Sequence, residues 1–126
     1  MKNQPEKILV LNPSKKLCKN LLSDGVILEY KRCDELDVNH QLGAPDLEIR
    51  FVYKKILWLL LAECKASNGK IRLSQKNYRD KYKGIKNVIY LLVYKPSDIS
   101  NCINSVTGYR DKKEKEVDRI MRNIKL

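Results

Sequence analysis

The run from Ile56 to Ala62, "ILWLLLA", followed at once by Glu63-Cys64-Lys65, constrains the fold more than any other stretch. Its apolar residues fall on both alternating faces, so neither face is suited to water. A strand of that kind belongs in the middle of a sheet covered on both sides. The run is far too short to cross a bilayer, which takes about 20 apolar residues. The chain must therefore supply layers above and below a central strand, and no membrane partner is expected.

The flanking segments supply those layers. "PEKILVLN" is ambiguous between a short strand and a helical lead-in. "NPSKKLCKNLLSDG" predicts a short helix, with Asn12 as its cap, Pro13 in the first helical position, and Gly25 after its end. "VILEYKRC" reads as a strand, and "DELDVNHQLGA" as a strand end and loop. In "PDLEIRFVY", Leu47, Ile49 and Phe51 alternate with Asp46, Glu48 and Arg50, which is strand periodicity. Lys54-Lys55 marks a turn, although it lacks the Gly or Asn of a tight hairpin. After the central strand, "RLSQKNYRDKYKG" predicts a helix over 72–83 closed by Gly84, and "NVIYLLVYK" another apolar strand. Ile99, Cys102, Ile103 and Val106 form the stripe of a further helix. A basic helix over about 109–125 closes the chain, with a narrower stripe of Val117, Ile120, Met121 and Ile124. The expected class is α/β, or α+β by stricter definitions. A single domain over 1–126 holds one mixed four-stranded sheet flanked by helices.

Charge narrows the partners. Lys plus Arg number 26 against 15 Asp plus Glu, a formal net charge of +11 with pI near 9.6. That balance favours a polyanion such as nucleic acid. Cys18, Cys33, Cys64 and Cys102 are spread singly, with no C-x-x-C pair and only His40 to assist, which argues against structural zinc. No signal peptide is apparent, so reduced thiols in a cytoplasmic setting are the expectation.

Glu63 and Lys65 share one face of their strand, because side chains alternate. A hairpin centred between Lys54 and Lys55 pairs residues whose numbers sum to 109, which brings Asp46 opposite Glu63. Directly opposed residues have Cβ atoms about 4.5–5.5 Å apart, so two carboxylates there repel unless a cation lies between them. A hard divalent ion resolves the conflict. Phosphodiester hydrolysis needs an activated water and compensation for phosphate charge; such an ion supplies both, and a lysine beside it can orient or deprotonate the water. The backbone carbonyl of Cys64 is a further candidate oxygen ligand, while its thiol should face the core. The alternative is that Glu63 and Lys65 merely solvate a strand end and neutralise each other, and a one-residue slip would put one carboxylate on the wrong face.

The ordered set "GAPDLEI", "LLAECKASNGK", "QKNYRDKYKG" and "VIYLLVY" over about 43–94 resembles the PD-(D/E)xK nuclease superfamily, within it most closely the virus-type replication-repair nuclease (VRR-NUC) domain. Gly43-Ala44-Pro45-Asp46 is similar to that family's G-x-P-D turn and Glu63-Cys64-Lys65 to its E-x-K strand. Gly69 and Gln75 keep its spacing. The resemblance implies a restriction-endonuclease-like core and a DNA endonuclease using Mg²⁺ or Mn²⁺. Asp46 and Glu63 would be metal ligands, Lys65 the catalytic lysine, and Gln75 a site residue reaching in from the following helix. It further implies structure-selective cutting of branched or flap DNA in replication, recombination or repair. Small stand-alone members resemble Holliday junction resolvases and act as homodimers. One element departs: the family's N-terminal helix often carries a glutamate, whereas helix 13–22 holds no acid and is only flanked by Glu6 and Glu29. Glu35 or Asp37 could substitute from the loop.

Lys70, Arg72, Lys76 and Arg79, among other basic residues of 69–86, are the candidates for holding phosphate, against the single acid Asp80. Arg79 and Tyr82 lie one and two turns from Gln75 on one helix face. Tyr78 suits core packing. His40 reads as an ordinary loop residue, and no Ser-His-Asp triad is evident. Two other readings remain: a Holliday junction resolvase, which needs a dimer, and a non-catalytic basic nucleic-acid-binding domain of the same fold.

Overall fold

The computed structural model describes residues 4–33, 43–66 and 69–108. Helix α1 (Gln4–Glu6) runs through a π turn (Lys7–Leu11) into α2 (Asn12–Ser23). The strands are β1 (Glu29–Arg32), β2 (Leu47–Tyr53), β3 (Ile56–Cys64) and β4 (Val88–Val93), with α3 (Leu73–Asp80) before β4 and α4 (Ser97–Thr107) after it. They form one sheet in the order β1-β2-β3-β4. The first two pairings are antiparallel and β3–β4 is parallel. The class is therefore α+β, with a mixed four-stranded sheet and helices. The expected terminal helix over 109–125 lies outside the described residues, as do Glu35, Asp37 and His40.

The apolar run of β3 takes the central place its composition requires. On one face Leu60, Ala62 and Cys64 join Leu47, Ile49, Phe51 and Val93 in a core closed by Val10, Leu11 and Cys18 of the N-terminal helix and Ile99 and Ile103 of α4. Burying each such aliphatic side chain contributes about 1.5–3 kcal/mol. Phe51 and Trp58, opposed across β2 and β3, stack at 6.1 Å with planes 11° apart. The opposite face, carrying Leu61, Glu63, Lys65 and Tyr90, is the one α3 covers. Among the described residues no helix is long and apolar enough to cross a membrane.

Three expectations are corrected. Asn12 is not a cap: it has helical φ −62° and ψ −45°, in a helix that began at Gln4. Pro13 lies within the continuous helical path. The Asn12 amide donates to the Lys7 carbonyl, an i to i−5 bond. This wide turn sits next to the proline, whose ring crowds the preceding turn and whose nitrogen cannot donate. The second strand-like run begins at Glu29 rather than Val26, because Val26 donates to Leu21 O in the helix-ending turn. Finally, α3 stops at Asp80, and 81–84 continue as tight turns in which Tyr82 donates to Arg79 O and Lys83 to Asp80 O.

The Lys54-Lys55 turn is a two-residue hairpin with both lysines left-handed, φ +50° and +66°. That geometry matches the twist of paired strands and is usually filled by Asn-Gly. The register it sets pairs Tyr53 with Ile56 and runs without a bulge to Leu47 with Ala62.

Candidate functional site

That register places Asp46, one residue before β2, beside Glu63 on the α3 face of the sheet. The Asp46 main chain is held by β1, where the Cys33 amide donates to its carbonyl at 2.8 Å. Its side chain is held by β3: the Cys64 amide donates to Asp46 Oδ2 at 2.8 Å. A carboxylate thus stands in for the strand carbonyl that would otherwise receive this amide, and it is fixed against the strand that carries Glu63.

Glu63 is fixed from the other side. Gln75, in the first turn of α3, donates from Nε2 to Glu63 Oε1 at 2.7 Å. Gln75 is itself oriented, since its Oε1 accepts from the Arg72 amide at 2.8 Å. This assigns the amide's two ends: oxygen to the helix start, nitrogen to the carboxylate. Lys65 Nζ lies 3.8 Å from the same Glu63 oxygen, an ion contact longer than a hydrogen bond. Asp46, Glu63, Lys65 and Gln75 are 6%, 2%, 1% and 6% exposed. Two acids and an amine buried together at the end of a central strand are costly to desolvate, and a solvated strand end does not need them.

Two glycines let the backbone close around these groups. Gly43 has φ +83°, and a Cβ there would fall 2.2 Å from the Ser74 carbonyl oxygen. The turn that delivers Asp46 therefore lies directly on the start of the helix that delivers Gln75. A Cβ on Gly69 would fall 2.9 Å from Lys65 Cβ, so the loop after β3 folds over the lysine stem. Tyr94 helps hold it, its hydroxyl donating to the Gly69 carbonyl at 3.3 Å.

Cys64 turns its side chain into the apolar core and is fully buried there. Its carbonyl leaves the strand on the same edge as the amide bound to Asp46, which keeps it a candidate oxygen donor. Lys70, Arg72, Lys76 and Arg79 are all exposed, Arg72 at the α3 start and Arg79 one turn beyond Gln75. Arg79 contacts Asp80 at 3.3 Å. Tyr78 is buried, tilted against Tyr82 at 5.6 Å.

Two residues depart from the sequence reading, which leaves Glu6 outside its helix and does not single out Tyr90. Because the helix begins at Gln4, the N-terminal helix does carry an acid: Glu6, 5% exposed, one turn before the core residues Val10 and Leu11. The signal was Pro5 followed by an acid, a helix-start pattern. Among the described residues no three His, Cys, Asp or Glu side chains gather closely enough to hold a metal. The other is Tyr90, which pairs with Leu61 across the parallel β3–β4 ladder and so shares the face of Glu63. Burial pushes its hydroxyl well above the usual tyrosine range, Glu63 and Asp46 push the same way, and Arg79 opposes them. Hairpin counting could not find it, because a crossover helix leaves parallel register open.

No family model, no curated protein and no solved structure matches the chain. The function must be read from the site itself.

The donor set suits a hard cation. Asp46 and Glu63 offer carboxylate oxygens side by side, one just before β2 and the other near the end of β3. Two carboxylates with water and substrate oxygens are the usual complement for Mg²⁺.

Proposed function

We propose that the chain is a divalent-metal-dependent nuclease of the PD-(D/E)xK type, acting on DNA. The observation that carries the reading is the buried set of Asp46 and Glu63 on adjacent strands, with Lys65 and Gln75 both directed at Glu63 Oε1. Asp46 and Glu63 are the residues that would hold Mg²⁺ or Mn²⁺, with the Cys64 carbonyl as a further donor. Such an ion supplies charge compensation at the phosphate and a water of lowered pKa.

The chain's own groups do the rest. The Cys64 amide and Gln75 keep the two carboxylates in place, which removes the cost of orienting them during reaction. Lys65 brings an ammonium to the same point and can donate to a phosphate oxygen or to the attacking water. The buried setting strengthens that interaction. Attack on phosphorus in line with the leaving oxygen yields a free hydroxyl and a phosphate terminus. Exposed Lys70, Arg72, Lys76 and Arg79 give the strand a basic approach whose affinity should fall steeply with salt and depend little on sequence.

The test is incubation with linear, flap and four-way-junction DNA in Mg²⁺, Mn²⁺ or EDTA, beside Lys65→Met and Asp46→Asn variants. Metal-dependent cleavage lost in both variants supports the reading. Cleavage that survives EDTA or Lys65→Met refutes it. Binding without cleavage in any metal identifies a non-catalytic nucleic-acid-binding domain instead. Selective resolution of the four-way junction by a dimer identifies a resolvase.

A further inference from the structure

An open cavity of about 310 Å³ lies on the same sheet face as the carboxylate pair, beside the end of α3 and the start of β4. Its lining includes Tyr82, Ile85, Val88 and Tyr90 together with the cations Arg79 and Lys83. Asp80 also borders it, in contact with Arg79 at 3.3 Å. The size is at the low end for small-molecule sites, which run from about 300 to 1,000 Å³. The lining combines aromatic and aliphatic side chains with two cations.

The cavity is connected to the site by two elements. Along α3, Arg79 follows Gln75 by one turn, about 6 Å along the axis. Across the sheet, Tyr90 stands on the Glu63 face one step before the carboxylate. Tyr90 therefore lines the cavity while its hydroxyl lies in the field of Glu63 and Asp46. That hydroxyl is buried and has no hydrogen-bond partner among the described residues. The oxygen is shielded from solvent, so what Tyr90 presents to the cavity is its ring.

We propose that this cavity receives the unpaired base of the nucleotide adjoining the scissile phosphate. Tyr82 and Tyr90 offer the aromatic surface for the base, and Arg79 and Lys83 meet the phosphate. The proposal rests on the nuclease reading. It makes the enzyme select DNA that is already unstacked next to the cut, because a paired base cannot leave its stack without cost.

The test uses the full chain and flap DNAs with one abasic nucleotide placed at successive positions around the junction. Binding is measured in EDTA and cutting in Mg²⁺. One abasic position, next to the cut bond, should weaken binding about 5- to 150-fold, the range expected for one base–aromatic stack. In Tyr82→Leu that penalty should vanish while affinity for the abasic DNA stays unchanged, which also shows that the variant folds. Tyr90→Phe, which keeps the ring and removes the shielded hydroxyl, should retain the penalty. Equal binding at every abasic position, or an undiminished penalty in Tyr82→Leu, overturns the proposal. Metal-dependent cutting without any abasic effect removes the base subsite and leaves the nuclease reading standing. A position-specific abasic effect without cutting in any metal keeps the subsite and removes the nuclease reading.

Discussion

Replacing Lys54-Lys55 by Asn-Gly should stabilise the protein without disturbing its site. Both lysines sit in the left-handed region, at φ +50° and +66°. An L-residue with an ordinary side chain pays about 1–2 kcal/mol there, so the pair stores about 2–4 kcal/mol. Asn and Gly adopt this conformation readily. Two terms offset the gain. Glycine raises the entropy of the unfolded chain by about 0.4–1 kcal/mol. Lys54 also loses its place over the Tyr53 ring, 5.4 Å from the centroid, a contact worth about 0.5–1 kcal/mol at an exposed site. The net expectation is about 0–3 kcal/mol of stabilisation, centred near about 1.5 kcal/mol. Urea unfolding should show a higher midpoint at unchanged slope, and Tm should rise by about 3–10 °C. The proposed nuclease activity should be unchanged, because the register that brings Asp46 beside Glu63 is the one this turn already sets. A lower midpoint would refute the two-residue turn, and with it the register on which the carboxylate pairing depends.

The remaining expectations concern the site and the core. Mg²⁺ should raise the Tm of the native chain, by an amount equivalent to about 2.7 kcal/mol at 100 times the dissociation constant, and Asp46→Asn should abolish that shift together with cleavage. Gly43→Ala combines a left-handed φ with a Cβ 2.2 Å from the Ser74 oxygen. It should cost more than about 2 kcal/mol and reduce cleavage, measurable by urea unfolding and by turnover on flap DNA. Gln75→Ala removes the donor to Glu63 and the acceptor of the Arg72 amide, so a loss of about 1–3 kcal/mol is expected, with the metal-induced Tm shift weakened. Burial pushes the Cys18 thiol from an ordinary 9.0 up to about 12. The folded state then holds a proton that the unfolded state releases. The stability this contributes is intact below pH 9 and falls between about pH 9 and 12, by up to about 1.4 kcal/mol per pH unit. A Cys18→Ala variant should show a shallower alkaline decline in urea midpoint, whatever its stability at neutral pH.

Local pattern alone determined a good deal of this protein. The two-faced apolar run of Ile56–Ala62 could only be a central strand, and it is one. The alternation around Leu47, Ile49 and Phe51, and the stripe of Ile99, Cys102, Ile103 and Val106, identified faces that the core does bury or pack against. Counting across a tight hairpin brought Asp46 to Glu63, because an antiparallel register is a local property of its turn. Where several local signals competed, the sequence was silent or misleading. Pro13 looked like a helix start, yet a π turn carries the helix past it and makes Glu6 part of the same element. The turn at Lys54-Lys55 adopts a conformation its residues disfavour, since the pairing of the strands outweighs the cost. What tertiary structure alone decided is everything that depends on the crossover: the parallel register of β4, hence the place of Tyr90, and the docking of α3, hence the hydrogen bond from Gln75 to Glu63. Those contacts join residues brought together by packing of a helix on a sheet, and no short-range periodicity encodes the depth or the phase of that packing.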